Sequence, residues 1–431
     1  MKVLMLGWEF PPFFAGGVGI VCHSMTRALA EAGAEITYVM PRGPEGASGG
    51  HVELLIAGDP LRPGSENDAV PRIQVEEVAA TLVPYAGLAP ALADVSAGQP
   101  SGSSSAAAAA SASLYGANLL SEINRFADAA VRAADGRDFD VIHAHDWTTF
   151  RAGLRLRQAT GRPLLVHVHI TEFDKSGGEG ADPAVYAIER EGMLGADLVV
   201  CVSEMTRDRC VSSYGVDPSR CRVVHNAADP LPPSDHESPE RLRELGKVVL
   251  FLGRVTRQKG PDLFLEAAAR VLEQRSDVTF VVAGSGDMLG HVLWKSAELG
   301  IGPRVVFSEF VNREQASVLY DLADIFVMPS VSEPFGIVAL EAMAAGVPTI
   351  VSKQSGVAEA ITTAVELDHW DVDGIAGEIL ALLGDDARCR RMSEAGRSEA
   401  LGYRWSDVAA RVEALYCEAN GRARVPQLIG G

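Results

Sequence analysis

The sequence predicts an α/β protein built from two doubly wound parallel-sheet domains that face each other across a cleft. Three observations carry that expectation. The chain has 431 residues, 47% of them apolar, and at roughly 100–200 residues per domain it needs two cores. Short apolar segments alternate with stretches of helical spacing. Most of these segments are near-continuous apolar runs, the mark of strands covered on both faces, and strand–helix alternation of this kind gives doubly wound sheets. Finally, residues 229–240 hold four prolines in twelve positions, a linker signal that splits the strand series in two.

In chain order, the predicted strands of the first set cover residues 3–7, 35–40, 141–145, 164–169, 198–202 and 222–225. The second set covers 248–252, 278–283, 305–308, 325–328 and 349–351. Helical spacing is clear at 22–32 and 261–273. Residues 97–113 are rich in Ser, Gly and Ala with almost no large apolar side chain, and read as a flexible surface insertion. The expected boundaries are 1–228 for the first domain, 229–240 for the linker and 241–400 for the second domain. A helix and tail over 401–431 is expected to cross back to the first.

The formal net charge is −19, from 38 basic and 57 acidic residues. Phosphate backbones require an excess of Lys and Arg, so a nucleic-acid partner is excluded. A small anionic ligand, which needs only a local positive pocket, is not. Six cysteines at 22, 201, 210, 221, 389 and 417 include no Cys-x-x-Cys pair and read as reduced thiols of a cytoplasmic protein. No signal peptide and no apolar run of membrane-spanning length is expected.

Ligands of open parallel sheets sit beyond the carboxyl ends of the strands, so the loops there carry the candidate chemistry. After the first strand come Gly16, Gly17 and Gly19, then a helix. The spacing is not Gly-x-Gly-x-x-Gly, and a plain turn fits as well as a phosphate cradle. The segment 140–147, Asp-Val-Ile-His-Ala-His-Asp-Trp, ends one strand, and 164–174, with His167, His169 and Glu172, ends another. Polar groups there could bind sugar hydroxyls, and Trp147 could stack on a sugar face. Zinc on the four histidines is set aside because no His-Glu-x-x-His or Cys-rich spacing accompanies them. His143 and His167 read better as buried, hydrogen-bonded core residues.

In the second half, 252–260 places Arg254 and Lys259 after a strand and before a helix opened by Pro261. Two cations there could neutralise a diphosphate, although two solvated surface charges are also possible. Residues 283–287, Ala-Gly-Ser-Gly-Asp, form another glycine-rich strand end. The most specific segment is 329–341. A turn with Glu333 precedes a helix start whose Phe335, Gly336 and Ile337 amides would point at an anion, and Glu341 follows about a turn and a half later. The two carboxylates could each accept hydrogen bonds from vicinal hydroxyls.

Together these motifs resemble the retaining nucleotide-sugar glycosyltransferases of the two-Rossmann (GT-B) fold, and among them the glycogen synthase-like enzymes. The Glu-x7-Glu pair (Glu333, Glu341), Gly-Arg-x4-Lys-Gly (253–260), His-Ala-His-Asp-Trp (143–147) and the first glycine loop match in chain order. The resemblance covers nearly the whole chain apart from roughly 45–113. It implies that Arg254 and Lys259 hold the donor diphosphate, Glu333 contacts sugar hydroxyls and Glu341 holds the ribose. It also implies that His169 faces the developing oxocarbenium, Asp146 touches sugar or acceptor, and Gly16 and Gly17 approach the donor. One departure stands out: Phe14-Ala15-Gly16-Gly17 occupies a loop where bacterial glycogen synthases carry Lys-x-Gly-Gly, so one phosphate-facing cation is missing.

The implied reaction is retaining transfer of a hexose, glucose by resemblance, from a donor such as ADP-glucose or UDP-glucose to an α-glucan or other carbohydrate. No metal and no cofactor are expected. Two other readings stay open: a nicotinamide oxidoreductase, which lacks its tight glycine fingerprint here, and a catalytically silent sugar-nucleotide sensor.

Overall fold

The computed structural model describes residues 1–11, 17–43, 50–57, 119–177, 180–229, 231, 246–308 and 311–423. Among them, strands β1–β7 form one sheet in the order β3-β2-β1-β4-β5-β6-β7, and β8–β13 form a second in the order β10-β9-β8-β11-β12-β13. The first comprises Lys2–Leu6, Glu35–Met40, Glu53–Ile56, Val141–His145, Leu164–Val168, Leu198–Cys201 and Cys221–Val223. The second comprises Lys247–Leu252, Val278–Ala283, Val305–Ser308, Ile325–Met328, Thr349–Ser352 and Val365–Leu367. Every pairing is parallel. These are the two doubly wound α/β domains that the strand–helix rhythm predicts.

The continuous apolar runs have a simple cause. Successive strand residues point to opposite faces, and both faces are buried. In β1, Leu4 and Leu6 enter one core while Val3 and Met5 enter another. In β8, Val248 and Leu250 face one core, and Val249 and Phe251 the other.

Two strands were absent from the sequence reading, β3 and β13. Both are sheet edges, and every residue of them is only partly buried or exposed, so neither presents the apolar run that marks an interior strand. β7 is also shorter than expected, ending at Val223. The proposed insertion at 97–113 and nearly all of the linker lie outside the described residues.

The last helix, Trp405–Ala423, packs against the first sheet. Trp405, Val408, Val412 and Tyr416 share a core with Val3, Met5 and Leu165 and with Val21 and Met25 of helix Gly17–Glu31. The preceding helix, Asp386–Ala400, still belongs to the second half, where Ala400 joins Leu340 and Met343. The chain therefore crosses between halves a second time, near residues 401–404.

Candidate active site

In each sheet the strand order reverses direction at the strand that opens it. β1 lies between β2 and β4, and β8 lies between β9 and β11. Crevices of parallel sheets open at such switch points, beyond the carboxyl ends. The loops after β1, β4, β8 and β11 at these switch points, with those after β5 and β9, carry the candidate motifs.

On the second sheet, backbone close approach builds the site. A Cβ on Gly284 would stand 1.9 Å from the Gly253 carbonyl oxygen, so the two glycine turns pack main chain on main chain. Gly260 has φ 65°, and a Cβ there would stand 2.3 Å from the Pro329 carbonyl oxygen. That approach lets the Val331 amide donate to the Gln258 carbonyl at 2.8 Å. It also sets the short 3-10 turn Arg257–Lys259 beside the strand end, where the Lys259 ammonium pairs with the Glu333 carboxylate. Glu333 is 6% exposed and fixed through its backbone, its amide donating to Gln354 and its carbonyl accepting from Gly356. Arg254 is exposed and has no ion-pair partner among the described residues. Nearby, Thr256 Oγ1 and Ser330 Oγ are buried without a hydrogen-bond partner among those residues.

The helix Ile337–Ala345 starts immediately after Gly336, which has φ 107°. No side chain caps it, and the amides of Phe335, Gly336 and Ile337 meet no backbone acceptor among the described residues. Unsatisfied amides at a helix start form an anion site. Glu341, about one turn in, has a side chain only 12% exposed. The Tyr320 hydroxyl lies 3.5 Å from it and Arg313 4.0 Å from it. Burial pushes its carboxyl up to about 7, against the pull of Arg313.

On the first sheet, β4 and β5 run side by side with His145 paired to His167. Rings of His143, His145, His167 and His169 stack against one another at centroid distances of 4.2–5.4 Å. All four are buried. Burial lowers each pKa, to about 3 for His143 and His169, so the rings are neutral near pH 7. His143 Nδ1 meets the Tyr416 hydroxyl at 2.7 Å, and His145 Nδ1 meets His169 Nε2 at 2.9 Å. His143 is thus hydrogen-bonded as expected, but neither nitrogen of His167 has a partner among the described residues. Spacing along one strand does not reveal which histidines a neighbouring strand brings alongside. The pairing of β4 with β5 brings His143, His145 and His167 together, and Cys22 of the helix Gly17–Glu31 meets His145 and His169, each group with potential ligand atoms within 4.8 Å of one another.

Asp146 is the only non-glycine residue with positive φ among the described residues, at φ 57° and ψ 169°. Its carboxylate accepts the His169 amide at 2.8 Å, and burial raises its pKa to about 7. Such strained backbone persists where surrounding structure enforces it, often at functional sites. Trp147 differs from expectation. It is 8% exposed, it packs into the first core, and the Lys175 ammonium lies 5.4 Å from its ring centroid. Trp147 therefore keeps no open face for a sugar. Glu172 opens a short helix and pairs with Lys175 at 3.4 Å. Gly17 is exposed at the start of its helix, while Gly16 lies outside the described residues.

Several positions escaped the sequence reading. Asp174 is 2% exposed and accepts from Ser332 at 2.8 Å, joining the two halves directly beside Glu333. Glu359 accepts the Glu204 and Met205 amides at 2.6 and 3.3 Å and His225 at 2.8 Å, a second bridge between halves. Arg313, beside Glu341, also donates to the Asp229 carbonyl. Each looks like an ordinary surface residue in sequence, since its partner lies more than 80 positions away. A cavity of about 270 Å³ lined by Lys247, Asp324 and Arg390 sits at the opposite end of the second sheet and includes none of these groups.

Comparison with known proteins agrees with this layout. Residues 16–227 match the family described as glycosyl transferase 4-like domain, and residues 235–399 match glycosyl transferases group 1. The chain is 32% identical over 311 residues to D-inositol 3-phosphate glycosyltransferase 1 of Catenulispora acidiphila, covering 67% of this chain and 74% of that one. It is 27% identical to a glycogen synthase of Mycobacterium tuberculosis, over 99% and 97% of the two chains. In structure it resembles sucrose-phosphate synthase of Thermosynechococcus elongatus, with TM-score 0.74, 20% identity and coverage of 98% and 99%. It also resembles Anabaena HepE in complex with UDP-glucose, with TM-score 0.68, 16% identity and coverage of 97% and 100%. The fold of these neighbours is the two-domain GT-B architecture.

Proposed function

This chain belongs to the group 1 glycosyltransferases, and we propose that it transfers a hexose, glucose in the first instance, from a nucleoside-diphosphate donor to a carbohydrate acceptor with retention of configuration. The observation that carries the reading is the meeting of Lys259 with Glu333 beside the open amides at 335–337, at the switch point of the second sheet. An acidic protein gathers cationic potential there, where a pyrophosphate can rest.

In this mechanism Lys259, Arg254 and the helix start stabilise charge growing on the departing diphosphate. Glu333 orients Lys259 and accepts from the sugar hydroxyls. Glu341 accepts from the ribose diol. Asp146 binds sugar or acceptor at the facing strand end, with Gly17 on the donor side of the cleft. His169 is neutral and its Nε2 is tied to His145, which leaves its backbone carbonyl to face the oxocarbenium. The acceptor hydroxyl attacks from the face the leaving group vacates, and the leaving phosphate takes its proton. The chain's own cations and amides carry this chemistry without a catalytic metal. Family membership weighs against the oxidoreductase reading, and the joint presence of Arg254, Lys259, Glu333 and Glu341 weighs against a silent sensor.

UDP-glucose is the first donor to try, since HepE was solved with it, and ADP-glucose is the second. Glycogen is the acceptor suggested by the glycogen synthase relative, and inositol 3-phosphate the one suggested by the relative with the higher identity. The six free cysteines suit the cytoplasm, and no described helix is long and apolar enough to cross a membrane. The test is a matrix of ADP-glucose, UDP-glucose and GDP-mannose against glycogen, maltooligosaccharides and inositol 3-phosphate. Products are read by mass and anomeric configuration. An inverted product would sink the retaining mechanism, and no product from any pair would sink the donor assignment.

A further inference from the structure

The stacked histidines beneath the cleft are not used by this reaction beyond His169, yet they are costly to keep. A neutral imidazole carries one N–H and one lone pair, and burying either without a partner forfeits its hydrogen bond to water. Among the described residues, His143 Nε2, His145 Nε2 and both nitrogens of His167 are buried and unpartnered. His143 and His145 each keep Nδ1 occupied, by Tyr416 and His169 respectively. One nitrogen held by a neighbour and the other left bare is the arrangement of a metal-ligating histidine with its supporting hydrogen bond.

We propose that His143, His145 and His167 form a buried site for a divalent late transition-metal ion, with Zn2+ the best fit. Imidazole nitrogens suit Zn2+, and three histidines leave a fourth position for water. One potential ligand atom from each ring lies within 4.8 Å of the others. A tetrahedral ion with Zn–N of about 2.0 Å holds its nitrogens roughly 3.3 Å apart, so the rings close by no more than about 1.5 Å. The two strands are paired, and their register already aligns His145 with His167. A buried dication needs an anion nearby, and Asp146, the next residue after His145 and itself buried, supplies a carboxylate at this strand end. With Nε2 on the ion, His145 carries its proton on Nδ1 and donates it to His169 Nε2. The ion thus fixes the ring orientation of the residue that faces the donor. Its role is structural and positioning, separate from the leaving-group chemistry on the other sheet.

The experiment uses the full chain purified without metal resins or chelators. About one zinc per chain is expected by elemental analysis. After removal of the metal, added Zn2+ raises the thermal midpoint of the wild type. Co2+ in its place gives the visible bands of a four-coordinate nitrogen–oxygen site, with no sulfur-to-cobalt charge-transfer band. His167→Leu keeps an apolar volume in place of an unsatisfied ring, so it folds, and its midpoint does not respond to Zn2+. His143→Gln gives a second variant with the same expected loss of response. The proposal is overturned if the wild type neither retains nor binds zinc, which would leave water as the occupant. It is equally overturned if both variants bind Zn2+ like the wild type. A thiolate band with Co2+ would also overturn it, because the ion would then sit on Cys22, His145 and His169.

Discussion

The two sheets turn the same structural feature, a switch point at the carboxyl ends of parallel strands, into opposite electrostatic surfaces. Along β4 and β5 and just past their ends the first sheet places four neutral imidazoles and a carboxyl that burial pushes up to about 7. Beyond β8 and β11 the second places an ion pair, an exposed arginine and an uncapped helix start. Without a bound ion, burial keeps the imidazoles of the first wall neutral, while the second wall sets an ion pair, an arginine and open amides side by side. The division suits a donor whose anionic half rests on the second sheet while its reacting sugar meets the first, with the Ser332–Asp174 hydrogen bond joining the walls between them.

The sharpest way to break this contrast is Lys259→Ala. Transfer falls by roughly three powers of ten, the size expected on losing a group that stabilises developing charge, while the circular dichroism spectrum stays that of the wild type. Near-normal turnover would show that the second wall does not hold the leaving group. Gly284→Ala attacks the backbone geometry instead. Its φ of 138° and the 1.9 Å approach to the Gly253 carbonyl oxygen lead us to expect about 3 kcal/mol of lost stability in chemical denaturation. Gly290→Ala, where nothing lies within 4 Å, serves as the control and is neutral or mildly stabilising.

Glu341 tests whether burial alone sets charge on the second wall. Its folded pKa of about 7 lies above the ordinary glutamate value of 4.5. The native state therefore binds the extra proton between those values. This contribution to stability is fully present below about pH 4.5 and is lost as the pH rises through 7. Glu341→Gln removes that dependence, so the ligand-free variant gains up to roughly 3 kcal/mol on the wild type between pH 4.5 and 8. Wild-type affinity for UDP should instead strengthen as the pH passes 7, with the variant weak and flat. Equal pH profiles for the two proteins would remove Glu341 from the ribose site.

The smallest effect concerns the first wall. Asp146→Gly relieves the backbone at φ 57° but gives up the acceptor of the His169 amide, so stability stays within about 1 kcal/mol. Asp146→Ala loses the acceptor and keeps the strain, and should be less stable than the glycine variant by about 1–2 kcal/mol. Indistinguishable variants would mean that the strain is not real in solution.

The sequence by itself determined the two-sheet α/β plan, because strands buried on both faces must be apolar throughout, as Val3 to Leu6 and Val248 to Phe251 are. It also marked the second wall, because Arg254, Lys259, Glu333 and Glu341 lie in loops and a helix start whose local spacing carries their meaning. Only the tertiary structure decided what depends on distant partners. The edge strands β3 and β13 became strands by pairing with a neighbour. Trp147 lost its open face to the core, and Asp174 met Ser332 across 158 positions. The four histidines gathered because β4 and β5 pair in one register, a proximity that spacing along the chain does not encode.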